Sequence, residues 1–503
     1  ARNACAGSNW LWMIIEAATT VCRWGTEMNY DTLIRNAHVI DGSNTPGYVA
    51  DVALRGGRIE CIGDLSGRQA THEIDAAGRV LAPGFIDVHT HDDTVVIRQP
   101  QMLPKLSQGV TTVIVGNCGI SASPVALRNK PPAPMNLLGN KAAFSYPRFA
   151  DYRTAVQGAR PALNVAALIG HTALRSNHMD DLQRTATATE IQAMRLQLRE
   201  SLEAGALGLS TGLAYASAFN ADTDEVLQLA EELTAFGALY TTHLRSEFEP
   251  VLEAMDEAFL IGRTARVPVI ISHLKCAGAG NWGRSPHLLA ALELAAKDHP
   301  VGCDCYPYAA SSSTLDLKQV TDAFRITITW STPHPQMGGR DLQDIAAQWG
   351  VSLMAAAQRL QPAGAVYYGM DESDVRRILA HPLSMIGSDG LPDDPFPHPR
   401  LWGAFPRVLG HFSRDVGLFP LHTAVHKMTG MSATRFGLTE RGQIREGHWA
   451  DLVLFDAEKV RDVADFSAPQ QAAEGIDWVW VNGVLSYQQG GANGQRAGVF
   501  LAR

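Results

Sequence analysis

The sequence has little of what marks several protein classes. Its 503 residues include seven cysteines: Cys5, Cys22, Cys61, Cys118, Cys276, Cys303 and Cys305. They are scattered and odd in number, which argues against a disulfide scaffold and makes reduced, cytoplasmic thiols the default. No run of ~18 consecutive apolar residues is present, so no membrane-spanning helix is expected. Cations are not in excess: 42 Lys plus Arg stand against 51 Asp plus Glu, a net charge of −9. A broad basic footprint for nucleic acid is therefore not expected. No solenoid period appears. What is present is a globular balance of 46% hydrophobic and 18% charged residues. That is enough for a large core and excludes a disordered or collagen-like chain.

Residues 1–27 read unlike the rest. Leu11-Trp12-Met13-Ile14-Ile15 is apolar but short, Glu16 interrupts it, and the basic flank of a secretory signal is missing. Alternating strand patterning begins only after Met28, so 1–27 is read as a non-native or unstructured extension. Residues 28–82 then alternate as short strands, at Thr32–Ile40, Ala50–Leu54 and Arg58–Ile62. The same texture returns over 438–503, at Ala450–Phe455 and Trp478–Val481, with Asn482-Gly483 as a hairpin turn. The two ends are expected to form one small, discontinuous β-sandwich domain.

Between them, 83–437 alternates buried apolar runs with helical stretches such as Thr189–Ala204 and Asp224–Ala235. Thr189, with Gln192 three residues on, reads as the first helix's N-cap. Strand then helix, about eight times over, predicts an α/β fold of the (β/α)8 TIM-barrel type. The segment 314–380 is too long for a βα loop. It is expected to hold helices, one near Asp341–Leu360, and to act as a lid.

The chemistry-bearing residues follow the ends of strands. Pro83-Gly84-Phe85-Ile86-Asp87-Val88-His89-Thr90-His91 closes an apolar strand with His-x-His. Residues i and i+2 of a strand share a side, so His89 and His91 can meet one ion. In a barrel, that end carries the active site. Cys118 follows Val113-Ile114-Val115, His243 follows Tyr240-Thr241-Thr242, His273 follows Val269-Ile270-Ile271, and Asp389 follows Met385-Ile386-Gly387. Each alone could be a packing residue. Together they offer one thiolate, four imidazoles and one carboxylate. Zinc accepts all three types, and the thiolate favours it over Mg2+ or Ca2+.

These motifs resemble the amidohydrolase superfamily, and within it the N-acyl-D-amino-acid deacylases (D-aminoacylases). The strand-end motif above carries the superfamily likeness, together with Gly442-Gln443-Ile444, Gly447 and Ala450-Asp451-Leu452-Val453. Gly116-Asn117-Cys118-Gly119, Gly208-Leu209-Ser210-Thr211-Gly212-Leu213, Tyr306-Pro307-Tyr308 and His398-Pro399-Arg400 carry the subgroup likeness. The resemblance implies one tightly held zinc on Cys118, His243 and His273. A weaker position beside it would be lined by His89, His91 and Asp389. Where related hydantoinases use a carboxylated lysine between two metals, Cys118 takes that place. The resemblance also implies a small-molecule substrate, an N-acyl amino acid. Its α-carboxylate would be met by Lys275, Tyr306 and Arg400, with Tyr215 and Ser312 as further contacts.

The expected reaction is hydrolysis of a linear amide by an activated water. Asp389 is expected to act first as general base and then as acid toward the leaving nitrogen. Its alternative reading is a helix N-cap, since Ser388-Asp389-Gly390 also reads as a turn. Two rival functions stay open: hydrolysis of a related C–N bond (cyclic amide, dipeptide or carbamoyl compound), or an inactive barrel used as a scaffold. His171 is left without a role. Asp393-Asp394 reads as solvated, and Cys303-Asp304-Cys305 does not read as a zinc knuckle.

Overall fold

The computed structural model describes residues 29–503 apart from Arg128 and Gln489. The extension 1–27 lies outside the described residues. Eight parallel strands form a barrel: β1 (Phe85–Asp87), β2 (Val110–Val115), β3 (Asn164–Ala167), β4 (Gly208–Gly212), β5 (Leu239–His243), β6 (Val269–Ile271), β7 (Val301–Cys305) and β8 (Ser384–Ile386). The run Val110-Thr111-Thr112-Val113-Ile114-Val115 is buried throughout. Such unbroken β-branched runs are what a strand covered on both faces requires. The amide of Leu207 donates to Ala167 at 2.8 Å and carries the sheet from β3 to β4. Beyond β8, Asp389 N donates to His89 O at 2.7 Å and closes the barrel on β1.

The helix Ala188–Glu203 is capped by Thr187, not Thr189. Thr187 is extended, at φ −75° and ψ 159°, and shares a capping box with Glu190. Thr189 already lies inside the helix. The same S/T-x-x-E/Q spelling occurs twice, and backbone conformation selects the earlier copy.

The insertion is a small unit of its own, with different bounds from the expected 314–380. Strands Ser311–Thr314, Ile326–Ser331 and Ala363–Tyr367 form an antiparallel sheet covered by helices Leu342–Trp349 and Leu353–Leu360. The single helix expected over 341–360 is two, because Gly350 turns left-handed at φ +64°. Helix Glu372–Ala380 packs on helix Ser285–Ala296 and on β8, so it belongs to the barrel.

Both chain ends meet in one nine-stranded sheet. Strand Val80–Pro83 joins its two halves, pairing with Tyr30–Val39 on one side and Leu452–Phe455 on the other. The sheet folds back on itself: its outer strand Arg58–Gly63 and the turn before it meet the segment leading into Leu452–Phe455, where Ile59 N donates to His448 O and Ala450 N to Gly57 O, both at 2.9 Å. Ile34, Val52, Leu54, Leu452, Leu454 and Trp480 fill its inside. Residues 498–503 leave this sheet; Leu501 N donates to Val165 O of β3 at 2.7 Å. Cys118, Cys276, Cys303 and Cys305 are free and buried. No helix among the described residues is long and apolar enough to cross a membrane.

Candidate metal centre

Parallel register sets all the strand ends at one level. Gly212 pairs with His243, Thr242 with Ile271, Ile271 with Cys303, and Cys305 with Ile386. The polar residues that follow those ends therefore gather at one mouth. Two groups form there: His89, His91, Cys118 and Asp389, and Cys118, His243 and His273. Within each group, one ligand atom per residue lies within 4.8 Å of all the others. The sulfur of Cys118 belongs to both. It sits 3.2 Å from His89 Nε2 and 3.3 Å from His273 Nε2. Asp389 Oδ1 is 3.2 Å from His91 Nε2 and 3.5 Å from His89 Nε2.

Local backbone is strained to make this possible. Cys118, His273 and Asp389 lie at φ +54°, +36° and +50°. Non-glycine residues there cost roughly 1–3 kcal/mol each and cluster at functional sites. Asp389 is thus not a helix N-cap; its carboxylate faces the two imidazoles. Gly387 leaves room for His89, whose Cβ would lie 2.5 Å from any added Cβ.

The electrostatics suit cation binding. Burial pushes the Cys118 thiol up, but His89 and His273 outweigh it and hold the group well below its usual range. Burial likewise opposes ionisation of Asp389, and Arg400 and His91 outweigh it.

A second layer fixes the imidazoles. Asp304 Oδ1 is 3.1 Å from His89 Nδ1 and accepts from His273 N at 2.9 Å. Glu247 lies 3.0 Å from His273 Nδ1 and 3.8 Å from His243 Nε2. These two carboxylates were not singled out from the sequence. Asp304 reads as inert between its flanking cysteines, although it too lies at the end of a barrel strand.

The mouth opens into a cavity of about 1170 Å3. His91, His243, His273 and Asp389 line its floor, and Ser311–Gln319 of the insertion form a wall. Tyr215, Lys275, Tyr306 and Ser312 are also on the wall. Tyr306 Oη and Ser312 Oγ are buried and make no hydrogen bond among the described residues. Tyr215 Oη is 3.3 Å from His243 Nδ1. Lys275 is not a free cation: its Nζ pairs with Glu247 and lies 2.8 Å from His273 Nδ1. Arg400 stands behind the wall at 1% exposure. Its Nη1 is 2.8 Å from Asp389 Oδ2, and Nη2 donates to Ser312 O at 3.1 Å.

Two other residues read differently in place. His171 is fully buried against Glu225 at 2.8 Å, and Arg175 completes that ion cluster away from the cavity. Asp394 is buried, not solvated, because the insertion's Thr329 and Trp330 pack over it.

A model of the amidohydrolase family matches residues 72–487. The D-aminoacylase of Alcaligenes xylosoxydans xylosoxydans is 51% identical over 474 residues, covering 94% of this chain and 98% of that protein. The N-acyl-D-aspartate deacylase of the same organism is 48% identical over 473 residues, covering 94% and 95%. The crystal structure of N-acyl-D-glutamate deacylase from Bordetella bronchiseptica contains zinc and a phosphonate inhibitor mimicking the tetrahedral intermediate. It matches with a TM-score of 0.92 at 44% identity, covering 95% of this chain and 100% of that one. The chain belongs to the amidohydrolase family. Within that family it falls among the N-acyl-D-amino-acid deacylases.

Proposed function

We propose that the protein is a zinc-dependent hydrolase that removes the acyl group from N-acyl-D-amino acids, releasing a carboxylate and the free D-amino acid. The observation that carries this reading is the Cys118 sulfur shared by two groups of imidazoles at the mouth of a substrate-sized cavity. A buried thiolate with imidazoles and a carboxylate is a donor set for zinc, not for Mg2+ or Ca2+. In this reading Cys118, His243 and His273 hold the tight ion, and His89, His91 and Asp389 line a weaker position. Zinc bound there would polarise the amide carbonyl and lower the pKa of a water from 15.7 to roughly 7.

The chain's own residues supply the rest. Asp389, kept ionised by Arg400 and His91, takes the proton of the attacking water and passes it to the leaving nitrogen. Tyr306 Oη and Ser312 Oγ, both unpartnered on the cavity wall, donate to the substrate α-carboxylate. Arg400, whose guanidinium lies over the Tyr306 ring at 4.6 Å, adds positive charge behind those donors. Lys275 orients Glu247 and His273 and lends positive charge, and Tyr215 flanks His243. The insertion closes one side of the cavity as a lid. The D configuration rests on the likeness to the D-specific deacylases. A cytoplasmic setting keeps Cys118 reduced.

The test is amine release from N-acetyl-D- and N-acetyl-L-methionine, glutamate and aspartate by zinc-replete protein. Release from a D form, abolished in Asp389→Ala, is expected. Silence across the panel with zinc bound would move the assignment to another C–N bond.

A further inference from the structure

One lysine at the barrel mouth has no part in the chemistry above. Lys105 lies on the short helix Leu103–Leu106, between β1 and β2, and is fully buried. A buried ammonium is tolerated only where its charge and all its N–H groups are met. Lys105 Nζ donates to Asp87 Oδ2 at 2.7 Å, Thr90 Oγ1 at 2.9 Å and Ser388 Oγ at 2.7 Å. Asp92 stands 3.3 Å away as a second anion. An ammonium has three donors, so this one is saturated.

The identity of these partners gives Lys105 its meaning. Thr90 stands between His89 and His91, and Ser388 immediately precedes Asp389. Asp87 Oδ1 accepts from His89 N at 3.3 Å and from Ser388 N at 2.8 Å. Asp87 Oδ2 also accepts from Ser388 Oγ at 2.6 Å. Thr90 Oγ1 in turn donates to Asp92 at 2.8 Å. A single cation thus ties the end of β1 to the end of β8. The clamp is closely packed, since a Cβ on Gly390 would meet Lys105 Nζ at 3.2 Å and Ser388 Oγ at 3.1 Å. Neither Cys118, His243 nor His273 touches Lys105; the two histidines among them are held by Glu247 and Asp304 instead.

We infer that Lys105 is a positioning residue which, through Thr90, Ser388 and Asp87, sets the His89–His91–Asp389 half of the cluster and not the Cys118–His243–His273 half. This rests on the metal reading proposed above. Lys105 governs the hold on the weaker ion and the turnover rate, and leaves the tight ion and substrate binding alone.

Lys105→Met keeps the stem and removes the charge; Ser388→Ala removes one contact and is the milder variant should the first not fold. Lys427→Met is the control. Lys427 is also a buried lysine beside β8, but it donates to the carbonyls of Ser384, at 3.1 Å, and His381, at the strand's opposite end. Zinc is titrated into each metal-free protein against a chromophoric chelator, with kcat, KM and Tm measured alongside. Lys105→Met is expected to keep tight zinc, weaken the second zinc about 10- to 100-fold and lower kcat by a similar factor. Its KM should stay within about threefold. Ser388→Ala should follow in the same direction by less. Lys427→Met should lose Tm yet keep both zinc affinities and kcat.

The inference is overturned if Lys105→Met matches wild type in second-zinc affinity and kcat. It is equally overturned if both zinc affinities fall together, as a general loss of structure would make them. A wild-type protein that binds no zinc and releases no amine overturns the proposed function, and this inference with it.

Discussion

The two ends of the barrel strands follow opposite rules. Toward the base, Leu207, Leu239, Ile270 and Met385 join Phe436 and Leu438 in one apolar cluster. Their backbones are ordinary and their side chains need only volume. At the mouth, the residues that follow the same strands are imidazoles, a thiolate and carboxylates, and Cys118, His273 and Asp389 carry positive φ. The contrast teaches where stability and chemistry reside. The base is packed for low energy, and it holds in place a mouth whose polar groups and strained backbone would not persist alone.

That contrast can be broken in graded steps. Asp389→Asn keeps the shape of the mouth and removes the base. Its kcat is expected to fall about 10³-fold in an amine-release assay, with the fold intact by circular dichroism. Cys118→Ser exchanges the shared soft donor for a hydroxyl. Because that atom belongs to both groups, chelator competition should show both zinc affinities reduced, by about 10-fold or more. At the base, Met385→Ala should do the converse: about 2–5 kcal/mol less stability in urea unfolding, with kcat within about twofold for the fraction that remains folded.

The smallest effect concerns Asp394, a buried carboxyl pushed up to about 7 by its burial, with Thr329 and Arg400 opposing. Its folded-state pKa lies above the unfolded value of 3.8, so the native state holds a proton that the unfolded chain has lost. The group therefore subtracts stability increasingly as pH rises from 3.8 toward 7, and by a constant amount above. Asp394→Asn should raise Tm by a few degrees near pH 8, and by progressively less toward pH 4.

Much of the mouth was legible because strand-end placement is a local signal. An apolar run followed by His, Cys or Asp can be read without the fold, and all six residues read that way do converge. What was not legible depends on partners distant in sequence. Asp304 looked inert between two cysteines, and its role appears only when β7 brings it against His89. Lys105 sits in an unremarked helix until β1 and β8 close around it. Arg400 reads as a substrate grip, yet in the fold its guanidinium meets Asp389 first. The β ends are legible because alternation reveals strands, but not that their two halves are joined through Val80–Pro83, which pairs with both. The insertion's far boundary is not legible, because helix Glu372–Ala380 has an amphipathic pattern that suits an insertion as well as a barrel.

The most direct test of the central claim is zinc-edge X-ray absorption on protein loaded with one equivalent of zinc. The shared Cys118 predicts a sulfur scatterer at ~2.3 Å alongside nitrogen at ~2.0–2.1 Å, and loss of the sulfur shell in Cys118→Ser. A shell of nitrogen and oxygen alone in the wild-type protein would contradict it.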